Sequence, residues 1–267
     1  AEELLHRGDS LLRELDARYG GCYFLVRERR WDETDQIYRG WERKRGALLE
    51  LCRHLRGMST SIQCRVGASK NLRNTHYVLT LDGDTRLCPG TAREMIGAML
   101  HPLNRPEIDP QRRVVTRGHG ILQPRMAVEL SAADYSDFTR LFAGQGGTDP
   151  YGSLAGELYM SLWGWGSFSG KGILDVTAFS QCLEGEIPQH TVLSHDILEG
   201  AYLRCGYLGD VELTDGFPGN APAYFQRLHR WVRGDWQNLP WVFGRGQKLP
   251  RADRWKIVDN LRRSLLP

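Results

Sequence analysis

Leucines 4, 5, 11, 12 and 15 fall on one helical stripe, which predicts a helix over residues 2–18 that Gly20 and Gly21 end. CYFLVRERR (22–30) reads as a strand, residues 31–42 as a polar loop, and RKRGALLELCRHLRG (43–57) as a second helix with a basic start. Residues 58–76 carry no clear period. An apolar run at 77–81 predicts a strand, and Pro89 opens a helix that runs to about Leu100. RRVVTRGHGILQPR (112–125) predicts two short strands around Gly118 and Gly120. Helices are expected at 131–142 and 151–162, then a flexible glycine-rich loop at 163–172 and a helix from about Ile173. A short helix over Asp196–Arg204, a strand over Tyr207–Leu213 and a long aromatic helix from near Ala221 follow. Near the end, Trp255, Val258, Leu261 and Leu265 share one side of a helix flanked by Arg254, Lys256, Arg262 and Arg263. That pattern suits a helix lying at a membrane surface or packed onto the parent domain. Strands alternating with helices predict an α/β fold of three layers with a mostly parallel central sheet.

A chain of 267 residues can bury a sizeable core as one large domain or two small ones. It shows nothing like a signal peptide and no apolar run long enough to cross a bilayer. Six scattered cysteines, with no C-x-x-C pair and no zinc-like histidine spacing, predict reduced thiols in a cytosolic compartment. The net charge of +3 is uneven. Arg227 to Arg263 holds 10 Lys/Arg against 3 Asp/Glu, a net of +7, which leaves −4 for the rest. The basic end either faces an anionic partner (phosphate, lipid headgroups or nucleic acid) or is a solvated face.

The chemistry begins at YVLTLDGDT (77–85), where an apolar strand ends on two carboxylates, Asp82 and Asp84. Carboxylates are costly to desolvate without a partner. Two hard oxygen donors at this spacing suit Mg²⁺ or Mn²⁺, which in turn binds a diphosphate. A haloacid-dehalogenase phosphatase also opens on D-x-D, but needs threonine two places after the second Asp; here Arg86 stands there. In Leu193-Ser194-His195-Asp196, either Ser194 or Asp196 caps the helix, or Asp196 acts as a general base. In RLHRW, Arg227, Arg230 and Trp231 form one helical patch that suits a phosphate and a sugar or planar group. GSFSGKG (166–172) departs from the phosphate-loop spacing, because Gly172 follows Lys171.

D-x-D, then S-H-D, then R-x-x-R-W, in that order, resemble the family 2 processive glycosyltransferases. The longer strings YVLTLDGDT, HPLNRP, GILQPR, GSFSGKGI, LSHD and HRWVRGDWQ are similar to the family 84 glycosyltransferase domain of cyclic β-1,2-glucan synthases, from about Tyr19 to the C-terminus. The resemblance implies a GT-A-like fold over residues 1–245, with the nucleotide-binding strand before the first helix missing. It implies an amphipathic interfacial segment at 246–267 that leads to a transmembrane region not present. It further implies an inverting glucosyltransferase at the cytoplasmic face of a bacterial inner membrane, with UDP-glucose as donor and a β-glucan as acceptor. Asp82 and Asp84 would bind Mg²⁺ or Mn²⁺, and Asp196 would be the catalytic base. Arg227, Arg230 and Trp231 would hold diphosphate and acceptor, and Lys44 would lie near the nucleotide. His195 stands where many relatives have Glu, and Arg227 where they have Gln. The alternatives are a membrane-docked fragment without catalysis and a basic nucleic-acid-binding module.

Overall fold

A computed structural model describes residues 2–34, 36–144, 152, 153 and 156–265. The chain falls into two compact units, residues 1–76 and 77–267. The first unit holds α1 (Glu2–Tyr19), β1 (Phe24–Arg27), β2 (Arg29–Asp32), β3 (Ile37–Gly40), α2 (Arg43–Leu55) and β4 (Ile62–Val66). β1 pairs antiparallel with β4, and β2 with β3. The expected polar loop is thus largely a hairpin, with Trp31 set edge-on to Tyr38 at 5.2 Å and Arg39 bound to Asp32. Leu48, Leu49, Cys52 and Leu55 give α2 its buried face. Beside them Glu50 accepts from Arg27 (3.0 Å) and from Ser61 Oγ (2.8 Å). Burial alone would raise its pKa, but these bonds hold its carboxyl below the usual range.

The second unit opens with β5 (Tyr77–Thr80), β6 (Thr85–Leu87), α3 (Thr91–Leu100), β7 (Glu107–Asp109), β8 (Val114–Arg117) and β9 (Ile121–Val128). Then come α4 (Leu130–Ala133), α5 (Asp137–Phe142), the short pair β10 (Gly152–Ser153) and β11 (Gly156–Glu157), and α6 (Leu158–Trp163). Part of the helix expected at 151–162 lies outside the described residues, and its first described part is strand. β12 (Gly172–Asp175), α7 (Val176–Leu183), α8 (Asp196–Leu203), β13 (Gly206–Asp215), α9 (Ala221–Gln237), α10 (Arg251–Asn260) and α11 (Arg262–Leu265) complete it. The helix expected from Ile173 is first a strand. Asp175 then caps α7 by accepting from Ala178 N at 2.7 Å.

Five strands form the central sheet in the order β5-β12-β9-β13-β6. Only β9 and β13 pair in parallel; the other three pairings are antiparallel. The sheet is therefore mixed, not mostly parallel. Alternation of strands and helices misled the expectation, because β12 and β6 run against their neighbours on connections the periodicity does not reveal. α3 packs across β9, β12 and β13, with Met95 and Met99 set against Leu122, Ile173 and Val211. Ile121 and Leu174, of opposite parity, are equally buried, so both faces of the sheet are covered.

The C-terminal segment packs in part onto its own unit, one of the two readings of its stripe. The apolar stripe divides: Leu261 is buried, whereas Trp255, Val258 and Leu265 are exposed. Inward from α10, Lys256 Nζ donates to the carbonyls of Trp165 (3.0 Å) and Gly166 (2.8 Å) and pairs with Asp253 at 3.3 Å. Arg263 binds Asp235 at 2.6 Å, and Lys248 binds Glu186 at 2.8 Å. Much of the basic end is thus matched from within the unit.

Burial pushes the Asp235 carboxyl up to about 6, against the opposing pull of Arg263. A carboxyl whose folded pKa exceeds its unfolded one binds more protons when folded, so its contribution to stability falls as pH rises from about 4 to about 6. Asp235→Asn is expected to flatten the melting temperature against pH across that window, measured by thermal denaturation. An unchanged profile would contradict this.

Candidate functional site

The strand directions define one functional edge. β5, β9 and β13 run the same way, so their carboxyl ends Thr80, Val128 and Asp215 lie together with the amino ends of β12 and β6. Ligands of α/β sheets bind beyond such carboxyl ends. Asp82 and Asp84 lie there, on a connection of four residues that joins the two outermost strands of the sheet. The connection is pinned at both ends. Thr85 N donates to Asp82 O at 3.1 Å, Asp82 N donates to Thr85 Oγ at 3.2 Å, and Gly216 N donates to Asp84 O at 3.1 Å. Asp82 is half-buried and Asp84 is exposed.

The partner of Asp82 is Lys171. Its ammonium lies 3.3 Å from Asp82 and 2.6 Å from Asp215, with 6% of the side chain exposed. The other oxygen of Asp215 accepts from Thr85 Oγ at 2.6 Å. Burial opposes the Lys171 charge, but Asp215 and Asp82 outweigh it and raise its pKa; the positive field of Arg227 acts the other way. Arg227 on α9 is therefore close enough to act on this cluster. The loop that carries Lys171 is packed, not flexible. Ser167, Phe168 and Lys171 are buried, Gly166 N donates to Cys205 O (2.7 Å), and Ser169 N donates to Gln123 Oε1.

Asp196 opens α8, where the helix dipole favours a negative charge. It reaches the cluster through Gly170. That glycine has φ +94°, and a Cβ on it would stand 2.9 Å from Asp196 Oδ1. Gly170 thus backs onto Asp196 while the next residue bridges Asp82 and Asp215. Gly170→Ala is expected to cost about 1–3 kcal/mol in backbone strain and to displace the Asp196 carboxylate. Thermal denaturation checks the first effect; wild-type stability would contradict it.

The loop before Asp196 is clamped by the end of α9. Leu193 N donates to Gln237 Oε1 (2.8 Å), Asn238 Nδ2 donates to Ser194 O (2.9 Å), and Gly234 lies so close that a Cβ would meet Ser194 Cβ at 2.4 Å. Beneath Asp196, His195 Nδ1 lies 2.9 Å from the fully buried Glu199 and 3.6 Å from Asp196. Among the described residues these three alone bring three metal-capable side chains within 4.8 Å of one another.

Arg227 and Trp231 are half-buried on α9, with the guanidinium 4.9 Å from the indole centroid; Arg230 is exposed one turn on from Arg227. Trp165 is engaged internally: its Nε1 donates to Asp253 (2.8 Å), and Arg204 lies over its ring at 4.8 Å. Lys44 belongs to the first unit, half-buried in the opening turn of α2, and is not among the residues the second unit brings together. The hard carboxylate oxygens of Asp82 and Asp84 fit a Mg²⁺-like or Mn²⁺-like ion, and Gly83 between them faces open space. Sequence reading missed Lys171, Asp215, Thr85 and Glu199. Asp215 carried a usable signal, since VELTD ends an apolar strand on a carboxylate as YVLTLD does.

No family model matches the chain. The curated cyclic beta-(1,2)-glucan synthase NdvB of Rhizobium meliloti (strain 1021) is 42% identical over 259 residues, which cover 95% of this chain. The chain spans about 9% of that protein's length. Over nearly its whole length the chain is therefore related to one segment of a cyclic β-(1,2)-glucan synthase, in agreement with the resemblance carried by its motifs.

Proposed function

We propose that the chain is the glucosyl-transferring part of a cyclic β-1,2-glucan synthase, GT-A-like in arrangement, with UDP-glucose as donor and a growing β-glucan as acceptor. One observation carries the reading: acidic residues from three distant segments, Asp82, Asp196 and Asp215, gather around Gly170 and Lys171 at the carboxyl ends of co-directional strands, with Asp84 on the same short connection as Asp82. The relationship to a glucan synthase supports the choice of substrate class.

The donor is α-linked and the product β-linked, so the reaction inverts the anomeric carbon once. Asp196 accepts the proton of the acceptor's 2-hydroxyl as that oxygen bonds to the anomeric carbon. The bond from that carbon to the diphosphate breaks, and its electron pair leaves with UDP. Asp82 and Asp84 would hold the divalent cation, which supplies charge neutralisation at the leaving diphosphate. Arg227 and Arg230 add donors to the same charge, and Trp231 stacks on a sugar ring.

Within the described residues no helix is long and apolar enough to cross a membrane. Attachment at the cytoplasmic face of the inner membrane would come through segments of the parent protein outside this chain. Calorimetry of UDP-glucose with and without Mn²⁺, on the full-length parent protein, tests the reading. Mn²⁺-dependent binding is expected; no binding in either condition would end it.

A further inference from the structure

Lys171 takes no part in the reaction just described, yet it is a buried ammonium at the centre of the acidic cluster. It lies 3.3 Å from Asp82 and 2.6 Å from Asp215, and its chain neighbour Gly170 backs onto Asp196. Asp82, Asp84, Asp196 and Asp215 bring four negative charges, and Lys171 and Arg227 return two positive ones, leaving a local balance of −2. That balance matches one divalent cation. Without Lys171 the same cluster would carry −3 and attract a bare cation more strongly, while repelling a diphosphate.

We propose that Lys171 is a positioning residue that serves as the built-in counter-charge of the cluster, so that the site takes a divalent cation together with a nucleoside diphosphate rather than a cation alone. The geometry supports a fixed role. Asp215 is held on its other oxygen by Thr85, and Thr85 also accepts from the backbone of Asp82, so the ammonium ties the carboxyl ends of β5 and β13 through one network. The side chain is almost wholly enclosed, which keeps its charge from being screened by water. Lys171 thus sets where Asp82 points and how much negative charge the cation meets. This inference rests on the proposed transferase reading.

The test uses the full-length parent protein with Lys171→Met, titrated by calorimetry with Mn²⁺ alone and with UDP at saturating Mn²⁺. The account expects shifts of opposite sign. Mn²⁺ alone binds about 5–50-fold tighter, from removal of a unit charge a few ångströms away. UDP binds about tenfold or more weaker, because the uncompensated negative charge repels the diphosphate. Weakening of both, or change in neither, would overturn the proposal, because a purely structural lysine does not move the two affinities apart. The variant leaves Asp215 buried without its ion partner, which can impair folding. The double variant Lys171→Met/Asp215→Asn removes both charges and keeps the local balance. It is expected to bind both Mn²⁺ and UDP about as wild type does; UDP affinity still about tenfold weaker there would overturn the counter-charge role. If wild type binds Mn²⁺ but no UDP, the transferase reading fails, and the Mn²⁺ arm still decides the counter-charge.

Discussion

Asp196→Asn is expected to lower the rate of glucosyl transfer by roughly 10²–10⁴ while UDP and Mn²⁺ bind as in wild type. Asparagine keeps the shape of the side chain but cannot accept the acceptor's proton. Backbone clamps outside the carboxylate hold the local fold. The loop before Asp196 is held by Gln237 and Asn238 on the backbone of Leu193 and Ser194, and the cation site draws on Asp82 and Asp84. A single-turnover assay of UDP release beside a binding titration separates the two effects. Loss of UDP binding in this variant would make Asp196 a structural residue and leave the reaction without its base.

Leu198→Ala is expected to destabilise the protein by about 2–5 kcal/mol. Leu198 is fully buried on α8, two residues after Asp196, in a helix whose residues from Ile197 to Leu203 are all buried. α8 packs against α7, β8 and α10, so little can collapse into the space that the lost atoms leave. A domain of this size moves its melting temperature by about 2–4 °C per kcal/mol, and thermal denaturation reads the drop. A change within about 0.5 kcal/mol, as an exposed position gives, would contradict the packing described for α8.

The legible parts of this chain were those whose signal is local. YVLTLDGDT announces a strand that ends on carboxylates, because apolar residues must be enclosed and the acids after them need a partner. LSHD before an apolar period announces a helix start, and the aromatic helix expected from near Ala221 begins there as α9. The mixed sheet was not legible. Strand direction is set by which distant segments pair, and four residues from Leu81 to Asp84 look like any turn until β6 is seen at the far edge from β5.

Lys171 was hidden for the same reason. Among glycines and serines it has the look of a solvated loop, and only Asp82 and Asp215, 89 and 44 residues away along the chain, make it a buried ion. Lys256 repeats the lesson in α10. Its charge suggested a surface, but Asp253 and two carbonyls enclose it, and the stripe that suited either a membrane surface or the parent domain is divided between core and solvent.

The central claim is that the acids of three separate segments serve one reaction centre, and a crystal structure of the parent protein with UDP and Mn²⁺ tests it most directly. Anomalous scattering should place the manganese on Asp82 and Asp84, bound also by the diphosphate, with Asp196 facing the space where the sugar's anomeric carbon would sit. Manganese held elsewhere, or a nucleotide seated away from Gly170 and Lys171, would contradict the account.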